Sequence, residues 1–325
     1  MPTKARLLGA LVWSTLALAQ VAPSVKAGLD RIYPDTLALY KELHRSPELS
    51  GHETQTAARM AQLLRERGYE VTEGVGGGVV GVLRNGDGPV VLLRTELDGL
   101  PVEERTGLPY ASANPGVMHA CGHDAHMAIW AATASLLAQN RQLWRGTVLM
   151  VGQPAEETTE GATAMIQAGL FTRFPKPAFA IAVHDTIDVP AGTVSWVPGY
   201  TMAAVTSVDI TLYGRGGHGA RPETTVDPIV LAARTVMALQ TVVSREKDPQ
   251  EPAVVTVGSI HGGQKHNVIP DEVRLQLTVR SYNPLVQARM LDAIARIAKG
   301  ESIAAGSPRE PKIVFDPGPP ATWND

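Results

Sequence analysis

Between residues 25 and 68 apolar side chains recur every three to four positions: Leu37, Leu39, Tyr40 and Leu43, then Ala57, Met60, Leu63 and Leu64. That spacing predicts helices on either side of a turn-like stretch at residues 44–50. Past Gly68 the pattern becomes β-like, with residues 70–72 and 79–83, a turn at Asn85-Gly86-Asp87-Gly88, and the apolar run 90–93. A continuous apolar run bounded by turn residues suits a strand buried on both faces. Residues 147–152 and 179–183 read as two further apolar strands, and the Ala-rich stretch 127–138 as a helix. Together they predict an α/β domain with a mostly parallel sheet.

Past Pro198 the pattern changes. In residues 207–213, Val208, Ile210 and Leu212 alternate with Asp209 and Thr211; in 273–280, Val273, Leu275, Leu277 and Val279 alternate with Arg274, Gln276, Thr278 and Arg280. With helices at 228–243 and 285–298, a β-like stretch at 253–260 and a short strand at 312–315, the order is β-α-β-β-α-β, that of a ferredoxin-like α+β domain. Half-polar strands imply a sheet with one face on helices and the other on solvent or a partner.

A length of 325 residues supports about two domains. The domains expected are 24–198, then 199–318, with 319–325 beginning a return to the first. With 44% apolar residues and a net charge of -3, the chain has no basic surplus to favour nucleic acid. At the start, Lys4 and Arg6 precede the apolar run 7–18, which ends in Ala17-Leu18-Ala19. This reads as a signal peptide over residues 1–19, with an uncleaved anchor as the competing reading, and implies a periplasmic or secreted protein. Cys121 is the only cysteine, so no disulfide within the chain is available in that oxidising setting.

The chemistry concentrates in Met118-His119-Ala120-Cys121-Gly122-His123-Asp124-Ala125-His126, at the mouth of the Ala-rich helix. A thiolate and an imidazole two positions apart form half of a site for a cation such as zinc, and the helix start helps to hold Cys121 as a thiolate. Alone, such residues are as readily a buried thiol and satisfied histidines. Three apolar strands, however, end in chemistry-bearing residues: Glu96 and Asp98 after the first, Glu156 and Glu157 after the second, His184 and Asp185 after the third. Ligands gather at the carboxyl ends of strands in open α/β sheets. There Glu96 and Asp98 are placed to support a site, and paired carboxylates can divide metal binding from proton transfer. Two glycine-rich loops, 214–222 and 262–270, lack the Walker and Rossmann spacings and present His218 and Asn267.

These motifs, in this order, resemble the dinuclear-metal amidohydrolases that include aminoacylases, hippurate hydrolase, plant auxin-conjugate hydrolases and related carboxypeptidases. The resemblance runs through Leu43-His44-Arg45-Ser46-Pro47-Glu48-Leu49-Ser50, the Cys-Gly-His-Asp segment, Gln153-Pro154-Ala155-Glu156-Glu157, Gly216-Gly217-His218-Gly219-Ala220, Asp248-Pro249 and Asn267-Val268-Ile269-Pro270-Asp271. It implies two divalent metal ions, drawn from zinc, manganese, cobalt and nickel, held by Cys121, His123, Glu157 and His184. It also implies Glu156 as general base, His218 as oxyanion donor, Asn267 and Arg280 as ligands of the substrate carboxylate, and Glu96 and Asp98 in support. The substrate implied is an N-acyl amino acid or related aminoacyl conjugate, and the second domain is implied to be an inserted dimerisation domain that builds a homodimer through residues 199–318. Relatives of this kind return to the catalytic domain and add a last metal-ligating histidine. No histidine lies beyond His266 here, so the alternative expectation is a truncated, inactive member that binds metal or ligand without hydrolysis.

Overall fold

The computed structural model describes residues 22–325, so the segment read as a signal peptide lies outside the described residues. The chain divides into two compact units, one ending at Ile187 and the other running from Asp188 to Asp325. The division falls before the boundary drawn at 198/199. Asn324 explains part of this, because its side-chain amide donates to the Val197 carbonyl at 2.9 Å and ties that residue to the second unit.

The first unit starts with α1 (Pro23–Arg45) and α2 (Thr54–Glu66), followed by the hairpin β1 (Glu70–Val75) and β2 (Gly78–Asn85), then β3 (Val90–Glu96) and α3 (His123–Gln139). It closes with β4 (Gly146–Gln153), α4 (Gly161–Gln167) and β5 (Phe179–Ala182). The sheet order is β1-β2-β4-β3-β5. β3 pairs in parallel with β4 and with β5, while β2 pairs antiparallel with β1 and β4, so the sheet is mixed. The strands expected to carry the site are the parallel ones.

Period-two alternation sorts the buried side chains of β2 and β4 onto two faces. Val79, Leu83, Val148 and Met150 meet Leu39, Leu43, Met60, Leu64, Met127 and Trp130 of the three long helices. Val80, Val82, Leu149 and Val151 meet Met165 and Leu170 on the other face. β4 is thus covered on both sides, as a continuous apolar run requires. β5, the third apolar strand, lies at the edge of the sheet, and its Phe179 and Ile181 are exposed.

The second unit contains β6 (Gly199–Met202), β7 (Ala204–Tyr213), β8 (Gly217–His218), α5 (Pro228–Arg245), β9 (Ala253–His261), β10 (Val268–Ile269), β11 (Glu272–Ser281), α6 (Pro284–Ala304), β12 (Lys312–Pro317) and β13 (Thr322–Asn324). Its main sheet is antiparallel in the order β12-β7-β11-β9, the ferredoxin-like arrangement expected. Val208, Ile210, Leu212, Val273, Leu275, Leu277 and Val279 are all buried against α5 and α6, as the alternation requires. Both helices start from a capping side chain followed by proline. Asp227 accepts from the Ile229 amide at 2.8 Å and Asn283 from the Leu285 amide at 2.9 Å, with Pro228 and Pro284 at the first helical position. The short strands β6 and β13 pair with each other, and β8 pairs with β10. Among the described residues no helix is long and apolar enough to cross a membrane.

Candidate metal centre

Parallel register brings the chemistry to one edge. Glu96 pairs with Gln153, and Arg94 with Ala182, so β3, β4 and β5 stop at nearly the same level, and residues 96–98, 153–157 and 184–185 emerge there together. The nine-residue cluster lies at the same edge, because α3 begins at His123 rather than at Met127, where the apolar pattern starts. Gly122 precedes it with φ 79°, a left-handed conformation that glycine adopts without strain.

The two expected histidine ligands are aimed by contacts to backbone carbonyls. His123 Nδ1 donates to the Asp98 carbonyl at 2.8 Å, which leaves the lone pair of Nε2 free; that buried atom has no hydrogen-bond partner. It faces Glu156 Oε2 at 3.7 Å and Glu157 Oε1 at 3.9 Å, and Glu157 Oε1 is likewise buried without a partner. His184 Nδ1 donates to the Asp185 carbonyl at 2.6 Å, so its Nε2 lone pair looks towards Cys121 Sγ at 3.4 Å. Cys121, His123 and His184 each offer a donor atom within 4.8 Å of the others, and so do His123, Glu156 and Glu157. His123 belongs to both groups.

These residues fit a metal pair. Unpartnered lone pairs on a buried imidazole and carboxylate are costly unless a cation meets them, and thiolate, imidazole and carboxylate are the donors a borderline cation takes. Burial, and then the negative charges of Glu157, Glu156 and Asp185, push the Cys121 thiol up to about 12. Without a cation, burial and then these carboxylates oppose the thiolate that the helix start was expected to favour. Burial alone would lower the His123 imidazole, but its bond to Asp98 and the charge of Glu96 raise it to about 9. In both cases a bound cation would take the place of a proton.

Glu96 and Asp98 support the site from beneath. Asp98 is fully buried, and its Oδ2 accepts from Ser50 Oγ at 2.7 Å and from the Glu157 amide at 3.0 Å. Burial would raise its pKa, but hydrogen bonds from His123, Ser50 and the Glu157 and Glu156 amides hold it well below the usual carboxylate range. Glu96 Oε2 meets His126 Nδ1 at 3.1 Å, while His126 Nε2 accepts from the Asp185 amide at 2.9 Å. His126 is therefore a strut that steadies the turn of His184. No role was expected for it, although its place one helical turn after His123 was the available signal. Glu156 is half-exposed; burial, more than the neighbouring Glu157 and Glu96, raises its affinity for a proton.

His218, Asn267 and Arg280 belong to the second unit. The β8–β10 ladder sets Val268 opposite His218, and the Gly219 amide donates to the Asn267 carbonyl at 2.8 Å, so His218 and Asn267 come together. Arg280 does not join them. The Gly216 amide donates to Asp271 Oδ1 at 2.8 Å, which puts these loops at the Glu272 end of β11, and eight residues of strand, roughly 26 Å, separate Glu272 from Arg280.

A metal-binding cluster at the strand ends of a mixed α/β unit, together with a ferredoxin-like unit, defines a metal-dependent hydrolase. Within that class the chain belongs to the peptidase family M20/M25/M40, whose profile matches residues 92–312. It is 36% identical over 299 residues to the N-acetyl-L-cysteine deacetylase of Bacillus subtilis, covering 91% of this chain and 71% of that protein. To the hippurate hydrolase of Campylobacter jejuni it is 40% identical over 289 residues, covering 87% and 73%. The crystal structure of a dinuclear metal binding peptidase from the M20 family, from Bacillus subtilis, matches with a TM-score of 0.76 and 31% identity, covering 92% of this chain and 77% of that one.

One histidine close to the cluster is clamped between two carboxylates. His44, 5% exposed, meets Asp124 Oδ2 at 2.6 Å through Nδ1 and Glu104 Oε1 at 3.2 Å through Nε2, so both nitrogens donate. Burial lowers its pKa, yet the two carboxylates outweigh burial and raise it above 6.5. A raised folded pKa gives stability that is complete below the unfolded value and is lost as pH rises through the folded one. We expect the gap in melting temperature between the parent and His44→Gln to be widest below about pH 6.5 and to close on further alkalinisation, as thermal melts across pH will record.

Proposed function

We propose that the protein is a metal-dependent amidohydrolase that cleaves the amide bond of N-acyl amino acids or related aminoacyl conjugates, with Glu156 as general base. The observation that carries this reading is the pair of unpartnered buried donors, His123 Nε2 and Glu157 Oε1, facing Glu156 at the strand ends. Likeness to a deacetylase of N-acetyl-L-cysteine and to a hippurate hydrolase supports the substrate class. Cys121, His123, Glu157 and His184 would hold the two divalent ions, which supply Lewis acidity to the scissile carbonyl and lower the pKa of a water. Glu156 takes the water proton and later delivers it to the leaving amine, a duty its raised proton affinity suits.

His218 supplies the oxyanion contact in this reading. Its Nδ1 accepts the Ala220 amide at 3.1 Å, so the proton sits on Nε2, which is then a donor for developing negative charge. Asn267, beside it, grips the substrate. Arg280 has the bidentate fork that a carboxylate prefers, but on its own unit it serves only a site away from the His218 end. We further propose a two-fold homodimer through residues 199–318, with His218 lent to the partner's metal site, and a periplasmic or secreted location directed by residues 1–19.

Turnover of a panel of N-acyl amino acids by metal-loaded protein, light scattering and cell fractionation test the proposal. Glu156→Gln should retain metal and lose about 10²- to 10⁴-fold in turnover, since an amide cannot accept the water proton; near-parental rates would move the base elsewhere. Mixed chains of His218→Ala and Glu156→Gln should regain activity, because one site in each mixed dimer has both groups intact. A fully active monomer in light scattering refutes the exchange of His218. Cell fractionation should find the protein outside the cytoplasm, lacking residues 1–19 in N-terminal sequencing; a cytoplasmic chain that keeps them counts against the signal peptide.

A further inference from the structure

The loop that carries Glu156 and Glu157 leaves β4 through Gln153 and Pro154 and turns at Ala155, whose φ of 47° lies in the left-handed region. An alanine stays there only where its surroundings hold it. Its carbonyl accepts from the amides of Glu160 at 3.2 Å and Gly161 at 3.1 Å, which closes the loop on the start of α4. Gly161 is pressed so closely on Pro154 that an added Cβ would lie 1.6 Å from the Pro154 carbonyl oxygen. The Ala155 amide points the other way and donates to Glu53 Oε1 at 2.6 Å, a residue 102 positions earlier in the chain.

Glu53 is 4% exposed, an expensive place for a carboxylate. It stands at the N-cap position of α2, where negative charge suits the helix start, yet its side chain makes no capping bond. Glu48 caps the helix instead, its Oε2 accepting from the Thr56 amide and hydroxyl, both at 2.8 Å, and its Oε1 from the Gln55 amide at 3.2 Å. Glu53 is therefore free to reach across to the residue that precedes Glu156.

We infer that Glu53 is a positioning residue: by holding the Ala155 amide, its carboxylate fixes the direction in which Glu156 leaves the loop towards the substrate water. The inference rests on the proposed role of Glu156 as base. Because the contact is to backbone, the γ-carboxylate can be replaced by any acceptor of equal reach, whereas a shorter or absent one frees the loop.

The test compares Glu53→Ala, Glu53→Gln, Glu53→Asp and Glu156→Gln with the double variant Glu53→Ala/Glu156→Gln, all metal-loaded and assayed on an N-acyl amino acid. Glu53→Ala should lower kcat about 10- to 100-fold with KM changed less than about threefold, as a misplaced reacting group does. Glu53→Gln, whose side-chain carbonyl still accepts, should recover most of the rate. Adding Glu53→Ala to Glu156→Gln should change the residual rate less than about twofold, because both act through one group. In metal-free protein, hydrogen exchange at the Ala155 amide should speed up in Glu53→Ala and stay slow in Glu53→Gln. Should Glu53→Ala fail to fold, Glu53→Asp, one methylene short, carries the same comparison with Gln. Unchanged kcat with only a lower melting temperature, equal losses in both backgrounds, or unchanged exchange at Ala155 overturns the inference. Parental turnover by Glu156→Gln alone overturns the base assignment and the step from loop to base with it, and is distinguishable because it needs no change at Glu53.

Discussion

The strand-end site is governed by one electrostatic constraint. A thiol, two imidazoles and a carboxylate turn their donor atoms towards a common space, with two further carboxylates, Glu156 and Asp185, against it. Left to themselves these groups keep their protons: burial, and then the crowded carboxylates, hold the Cys121 thiol protonated up to about 12, while Asp98 and Glu96 outweigh burial and raise the His123 imidazole to about 9. Divalent charge removes the conflict at once. The protein must therefore hold the donors in place against their own repulsion before a cation arrives, and much of the surrounding structure serves that end.

It does so through backbone atoms. His123 and His184 are oriented by the carbonyls of Asp98 and Asp185, and Glu157 is anchored through its amide to the Asp98 carboxylate. Those carbonyls and that amide sit two to four residues past the ends of β3, β4 and β5, so their positions inherit the register of the parallel pairs. A slip of one residue would invert every side chain of a strand and retract its terminal loop. The two apolar clusters that flank β2 and β4 forbid such a slip, and in that way burial on both faces fixes the geometry of the donors.

Much of this is legible in the sequence where a physical period writes it down. The alternation at residues 207–213 and 273–280 survives intact as the buried face of β7 and β11, because a sheet packed on one side leaves no freedom of phase. The apolar runs of β3 and β4 mark the strand ends, and with them Glu96, Asp98, Glu156 and Glu157. Contacts made across long stretches of chain leave no such trace. Ser50 on Asp98, His44 between Glu104 and Asp124, and Glu53 on Ala155 are through-space pairings with no local signature. The apolar pattern starts α3 four residues late, because the polar cluster forms its first turn and interrupts the period. The β6–β13 pairing joins segments more than a hundred residues apart and is hidden for the same reason as the other long-range contacts.

In the second unit the division of labour is similar but without metal chemistry. Its largely apolar core contains a satisfied chain of hydrogen bonds, Ser281 Oγ to Gln287 Oε1 at 2.6 Å and Gln287 Nε2 to Thr206 Oγ1 at 2.9 Å, which pins α6 to the sheet. The loops at the Glu272 end are then tied together rather than left free. Asp271 accepts from the amides of Gly214 and Gly216, and the two-residue ladder binds the His218 loop to the Asn267 loop. The Ala220 amide also fixes the tautomer of His218, so that of the two ring nitrogens it is Nε2 that carries the proton.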